Sequence, residues 1–199
     1  MPLLPAETLV FPPDLLCDLA PPIDTSARWW VLHTRPRAEK TLARQLLRRS
    51  LAWFLPLYQR RWRWKDRVQS SFVPLFPSYL FLWGDYDARL VALETNLVVR
   101  AIAVEDQRQL HQDLASVYRL IAAKAPLLPE ERLEPGMRVE ITSGAFAGLE
   151  GTILRRRQGL RLQVEVHFLQ RGVSVEVESW MLRYLDGEKP STLKSHTTR

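Results

Sequence analysis

Four histidines, one cysteine and a spaced series of glycines are the residues of this 199-residue chain whose types could do chemistry. His33, His111, His167 and His196 form no i, i+4 pair and stand in no H-E-x-x-H context, so helical metal-ligand spacing is missing. His111 and Asp113 are two apart, which on a helix turns them to different faces. Cys17 is the single cysteine; it has no internal disulfide partner, supplies no cysteine zinc site and fits a reducing compartment. There is no G-x-S-x-G elbow for a nucleophile. Gly144, Gly148 and Gly151 have the look of a phosphate loop, but no Lys-Ser/Thr follows them and their flanks read as strands, with no helix N-terminus to hold an anion. The chain reads as a binding protein: not an enzyme, with no metal site and no cofactor.

Binding chemistry is concentrated in one stretch. Between Arg35 and Lys65 there are ten bases and a single acid, Glu39, and Trp62 and Trp64 interleave with the last of the bases. A solvated helix face commonly produces such a run, but this density with interleaved aromatics favours electrostatic contact with nucleic acid, without base-specific readout. Arg155, Arg156 and Arg157 precede Gly159 on a hairpin turn that fits RNA contact and plain solvation equally well. Of the net charge of +6, the positive part belongs to the middle of the chain, since residues 1–27 carry four acids, no base and six of the fourteen prolines. The leader reads as flexible. Hydrophobic residues make up 46%, enough for a core. No run approaches the roughly 20 apolar residues of a membrane helix, and the N-terminus lacks a signal-peptide pattern, so the sequence points to a soluble, cytoplasmic protein with no membrane partner.

Several elements must position these residues. Trp29–Thr34 is an aromatic and β-branched run, a buried strand. Pro36 suits the first turn of the helix that follows, in which Ala38, Leu42 and Leu46 recur at i, i+4 with a basic outer face. In 58–65 Tyr58, Trp62 and Trp64 share one parity and Gln59, Arg61, Arg63 and Lys65 the other, a two-faced strand with a turn at Asp66-Arg67. Residues 77–83 form another strand, 88–95 a short helix and 98–104 a strand. Asp106 caps a helix whose Leu110, Leu114, Val117 and Ile121 make one stripe. Prolines 126, 129 and 135 mark a linker, and beyond it every signal is β. The boundaries are a leader over 1–27, a first domain over 28–124, a linker over 125–134, a second domain over 135–187 and a polar tail over 188–199.

Gly136, Val139, Ile141, Gly144, Phe146, Gly148 and Gly151 describe a strand, a tight turn, an aromatic plug and a second strand entered through glycines. This spacing resembles the KOW motif, which implies an SH3-like five-stranded β-barrel. The opening strand, the helix behind it and the run Pro74-Leu75-Phe76-Pro77-Ser78-Tyr79-Leu80-Phe81 resemble the NusG N-terminal domain. The likeness to the NusG family runs from about Arg28 to Asp186, with Trp30 and L-F-P-S-Y-L-F closer to specialised RfaH-like paralogues. The implied class is α+β: an α/β sandwich-type domain with a mainly antiparallel four-stranded sheet and flanking helices, then the barrel.

The resemblance implies a bacterial-type, monomeric factor that binds the clamp helices of RNA polymerase and promotes processive elongation and antitermination. By motif position that contact includes His33, Leu75, Phe76, Pro77, Tyr79 and Phe81. Because Tyr79 and Phe81 share one parity while Leu80 and Leu82 share the other, one pair packs under helices and the other faces a partner. Arg37, Lys40, Arg44, Arg48, Arg61 and Arg63 are placed to meet upstream or non-template DNA. The barrel's partner loop corresponds to Phe168, Leu169 and Arg171, facing a small-subunit ribosomal protein or Rho; Gln170 departs from the usual glycine and weighs against Rho. The alternative is an RNA-binding, ribosome-associated KOW protein. The valines of the last strands favour a barrel joined to the first domain without tight docking.

Overall fold

The computed structural model describes residues 9–17, 26–65, 67–124, 126–130, 136–156, 159–178 and 181–185. In chain order the first half comprises β1 (Val10–Phe11), β2 (Arg28–Thr34), α1 (Glu39–Arg48), β3 (Ala52–Phe54), β4 (Leu57–Trp64), β5 (Arg67–Pro74), β6 (Tyr79–Gly84), α2 (Tyr86–Glu94), β7 (Val98–Ala103) and α3 (Gln107–Ala122). Five strands form an antiparallel sheet in the order β1-β3-β6-β2-β7, and β4 and β5 form a separate hairpin. Alternation along β2 and β6 sends side chains to both faces of that sheet, in register Trp30↔Leu82 and Val31↔Phe81. Trp30, Leu32, Leu80 and Leu82 bury against Leu42, Ala43 and Leu46 of α1 and against Ala88 and Ala92 of α2. Trp29, Val31 and Phe81 join Leu110, Leu114 and Val117 of α3 on the other side. The sheet is therefore covered on both faces.

Local chemistry fixes the helix ends. Asp85 accepts a hydrogen bond from Ala88 N at the start of α2, and Asp106 accepts one from Gln109 N at the start of α3. α1 begins after Ala38, which makes no side-chain cap, and Pro36 lies in a turn ahead of the helix instead of in its first turn. That turn is needed because Arg37 takes a left-handed backbone at φ 64°.

The second half is β8 (Leu128–Glu130), β9 (Met137–Ile141), β10 (Glu150–Arg156), β11 (Gly159–Val166), β12 (Arg171–Val177) and β13 (Leu182–Tyr184). They form one antiparallel sheet in the order β13-β9-β10-β11-β12-β8. Val139, Ile141, Leu162, Val164, Val166, Val173, Val175 and Val177 line its apolar side. Two glycines of the KOW-like spacing supply positive φ, Gly144 at 80° and Gly148 at 78°. Two others permit close approach: a Cβ on Gly136 would meet Ile153 O at 2.6 Å, and one on Gly151 would collide with Gln163 O. Phe146 is half-buried against the core, and Leu149, at 1% exposure, fills the interior position expected of that aromatic.

Four expectations are corrected. The first sheet has five strands instead of four, because β1 comes from the acidic leader and pairs with β3 through Val10↔Phe54 and Phe11↔Trp53. Part of the leader is accordingly packed: Val10, Leu15 and Leu16 are core residues, and their apolar surface outweighs the proline-rich composition that suggested flexibility. The linker supplies a strand as well, since β8 pairs with β12 at Pro129↔Val173, and a proline is tolerated there because an edge strand needs no second ladder. Finally, the two halves dock. One contiguous apolar cluster runs from Trp29, Phe81 and Leu114 to Leu162, Val173 and Val175, and α3 lies against β11.

Leu16→Ala tests the packing of the leader. With 1% exposure, its truncation should cost about 2–4 kcal/mol in denaturant unfolding. An unchanged midpoint would return the leader to the role of an unattached tail.

Candidate partner-binding surface

His33 and Tyr79 face each other across β2 and β6, their ring centroids 5.3 Å apart and both half-buried. They sit where β6 begins, so the turn before it decides their position. Ser78 holds φ 68°, a left-handed backbone uncommon for a residue with a side chain. It is held from two sides: Ser78 N donates to Glu39 Oε1 at 2.7 Å, and Thr34 N donates to Ser78 O at 2.8 Å. Glu39, 5% exposed, lies in the first turn of α1, where a carboxylate also meets the positive end of the helix dipole.

The six residues assigned to the polymerase contact divide by depth. His33, Pro77 and Tyr79 reach the surface. Leu75, Phe76 and Phe81 do not: each is buried, Phe76 and Phe81 meet edge to face at 6.4 Å, and Phe54 packs on Phe81 at 6.3 Å. The parity of β6 expected to face a partner is thus split, Phe81 being buried while Tyr79 and Trp83 are half-buried. The guanidinium of Arg171, from β12, lies 5.6 Å over the Tyr79 ring.

The basic face is only partly assembled on one surface. Arg37, Arg44 and Arg48 are exposed and Lys40 is half-buried, on α1 and the turn before it. Arg61 and Arg63 belong to β4, and their side chains, like those of Trp62 and Trp64, lie outside the described residues, as do Arg157 and the side chains of Arg155 and Arg156.

The loop His167–Arg171 is exposed at His167, Phe168 and Gln170 and half-buried at Leu169 and Arg171. Phe168 is 37% exposed and Leu169 is half-buried, while Gln170 takes φ 51°, the conformation for which glycine is the easier residue. His167 anchors it to α3. Its backbone N donates to Asp113 Oδ2 at 2.9 Å, and its Nδ1 lies 3.1 Å from both carboxylate oxygens. Gln109 Nε2 donates to Asp113 Oδ1 at 2.8 Å. Burial pushes the Asp113 carboxyl above the usual carboxylate range, against the lowering pull of Gln109 and His167. Farther along α3 the Arg119 guanidinium donates to Ala147 O at 2.7 Å. Between α3 and the second sheet remains a polar cleft of about 520 Å³, lined by Asp113, Ser116, Arg119, Arg138, Glu150 and Glu165 among others. The Asp113–His167 contact spans 54 residues, and no local pattern announces it. His111, two positions from Asp113, points the other way and accepts from Trp29 Nε1 at 3.2 Å.

Among the described residues no group of three or more His, Cys, Asp or Glu side chains could hold a metal ion, and no helix is long and apolar enough to cross a membrane. The surface offers a stacked His–Tyr pair beside a basic helix.

Residues 27–128 match the family model described as NusG, transcription termination factor nusG. The chain belongs to the NusG family. The matched span begins at the first residue before β2 and ends at the first residue of β8, so it takes in the whole His33–Tyr79 corner and the Asp113 side of the interdomain contact. No curated protein matches the chain. A solved structure, the MjSpt4:Spt5 complex in conformation B, is similar at 14% identity over 81% of this chain and 99% of that chain, with a TM-score of 0.25. That likeness is too loose to carry a statement about this NusG-family factor.

Removing the Glu39 carboxylate tests the clamp on the corner. Glu39→Ala leaves the part-buried Ser78 N–H without its acceptor and should cost about 1–3 kcal/mol, with altered NMR shifts at His33 and Tyr79. Unchanged shifts at both rings would mean that the turn holds itself.

Proposed function

We propose that this NusG-family protein is a cytoplasmic, monomeric transcription elongation factor that binds the clamp helices of RNA polymerase and promotes processive elongation and antitermination. The observation that carries this reading is the family match over 27–128 together with the His33–Tyr79 pair at the corner of the matched domain. His33, Pro77 and Tyr79 make the contact; Leu75, Phe76 and Phe81 support it from beneath. Aromatic anchors of low side-chain entropy over a rigid base are what an interface hot spot requires. Because Arg171 lies over Tyr79, the second sheet moves away from this corner when the polymerase binds.

The outer face of α1, with Arg37, Lys40, Arg44 and Arg48, and the hairpin bases Arg61 and Arg63 then follow upstream or non-template DNA through phosphate charge alone. The second sheet is the KOW barrel of this reading, with residues 135–187 as its domain, and its loop Phe168, Leu169 and Arg171 meets a small-subunit ribosomal protein, or Rho, once it is free of α3.

Retention of RNA polymerase on the immobilised full chain at moderate salt tests the contact. His33→Ala with Tyr79→Ala should reduce retention at least about tenfold while circular dichroism is unchanged. Retention by a folded double variant would put the interface elsewhere, and capture of ribosomal subunits in place of polymerase would reverse the reading. Arg44→Glu with Arg48→Glu should weaken association with nucleic-acid-containing elongation complexes and flatten its salt dependence, with little change in melting temperature. A large loss of stability with unchanged association would make these arginines structural.

A further inference from the structure

The end of the first sheet opposite the His33–Tyr79 corner carries a second concave site. Arg28 opens β2 and pairs with Gly84 at the close of β6, five residues along β2 from His33, which sets the two places about 17 Å apart. Here a cleft of about 480 Å³ is lined by Ser26, Arg28, Trp30, Asp85, Tyr86 and Asp87. Its volume falls within the about 300–1,000 Å³ typical of small-ligand sites. We propose that this cleft binds a guanine nucleotide, with the base stacked on Tyr86 and read by Asp87, and the phosphate held by Arg28.

The cationic wall is built from stacked arginines. The Arg28 guanidinium lies 6.0 Å from the centre of the Trp30 ring and that of Arg89 5.2 Å from it, and Arg89 is also 5.1 Å from the ring centre of Tyr86. Trp30 is itself fixed, 8% exposed and with Nε1 donating to Gly84 O at 3.0 Å. Stacking occupies the flat face of a guanidinium and leaves its N–H groups, which lie in its plane, unspent. Among the described residues neither guanidinium makes a hydrogen bond or an ion pair, and Arg89 Nε is a buried donor with no acceptor. Two positive charges converge on one indole without acceptors of their own, so this wall is complementary to an anion.

The residues around it decide which anion. Tyr86 is 60% exposed, and Arg89 covers one face of its ring, leaving the other to a planar ligand. Asp85 spends a carboxylate oxygen on Ala88 N as the cap of α2, so that helix end offers no anion site of its own. Asp87 is exposed, and its carboxylate has no partner among the described residues. Inorganic phosphate or an acidic peptide would be repelled by Asp85 and Asp87 and would leave Tyr86 unused; a cationic ligand would meet Arg28 and Arg89. A nucleotide presents an anion, a π face and N–H donors together. Guanine fits a carboxylate best, because its N1–H and N2–H₂ point the same way and serve both oxygens, whereas adenine offers a single amino group. This inference goes beyond the polymerase reading, uses none of its residues and is tested without polymerase.

Calorimetric titration of the full chain with guanosine 5′-monophosphate (GMP), adenosine 5′-monophosphate (AMP) and inorganic phosphate reads the site. GMP should bind at least about tenfold more tightly than phosphate, and Tyr86→Ala should remove that gain, since stacking of one base supplies a factor of this size. Arg28→Gln should weaken GMP about tenfold while leaving guanosine unchanged, and Asp87→Asn should abolish the preference for GMP over AMP. All three residues are exposed, so the variants keep the fold, which circular dichroism checks. A guanylate at the end of a single strand carries the same chemistry. A short RNA with a 5′-phosphorylated guanosine that binds more tightly than GMP, with the same loss in Tyr86→Ala, would place the nucleotide in a strand; equal or weaker binding would make it a free nucleotide. No binding of GMP at millimolar concentration, equal affinity for GMP and phosphate or AMP, or GMP binding that survives in folded Tyr86→Ala would overturn the site.

Discussion

Helix α3 carries two loads at once. One stripe, Leu110, Leu114 and Val117, closes the first sheet over Trp29, Val31 and Phe81. A polar stripe roughly a third of a turn away, Gln109, Asp113, Ser116 and Arg119, faces the second sheet across the cleft. A helix buried on two sides cannot keep its polar residues in water, so each one near the contact needs a partner inside the protein. Asp113 is the costliest of them. It collects donors from Gln109 Nε2 and His167 N and a ring nitrogen of His167, and without them the docked arrangement would bury a bare carboxylate. The relation between the halves rests on that set of bonds together with the apolar cluster beside it.

That double use explains what was readable in the sequence. The Leu110, Leu114 and Val117 stripe was legible because 3.6-residue periodicity reports which side of a helix is buried. The polar stripe gave no such signal, since polar residues that dock and polar residues that face water are the same residue types. Alternation in 58–65 indicated a strand, which is β4, and the aromatic run of β2 indicated a buried strand; both signals are local. The turn expected at Asp66-Arg67 falls earlier, because Arg67 already pairs with Trp64 in β5. β1 and β8 were missed for the opposite reason: two and three residues long, they carry no period, and pairing with β3 and β12 is what makes them strands. His167 and Asp113 are 54 residues apart, beyond the reach of any spacing argument.

The candidate surface shows the same limit on a finer scale. Tyr79 and Phe81 share a parity, and sequence alone assigns them one fate. Their depths differ because the packing over that face is uneven. Phe81 lies among Phe54, Phe76 and the apolar side of α3, whereas Tyr79, at the start of the strand, packs on the rim of that cluster half-buried, beside His33 and under the guanidinium of Arg171. Parity states which face a residue takes; the neighbouring elements decide how far that face extends toward water.

α1 ties the corner to the basic surface. Glu39 enters the interior to fix Ser78, while Arg44 and Arg48, on later turns of the same helix, stay in solvent. A displacement of α1 would therefore move the His33–Tyr79 pair and the cationic face together. The second sheet is coupled to the same corner from the other side. Arg171, over Tyr79, follows the turn that His167 begins, so the residue anchoring the loop to α3 and the residue lying on the corner are four apart on one segment. A segment this short cannot leave α3 and keep its place over Tyr79. The two contacts are accordingly mechanically linked, since a shift of this loop on α3 would be felt at the Arg171–Tyr79 contact as well.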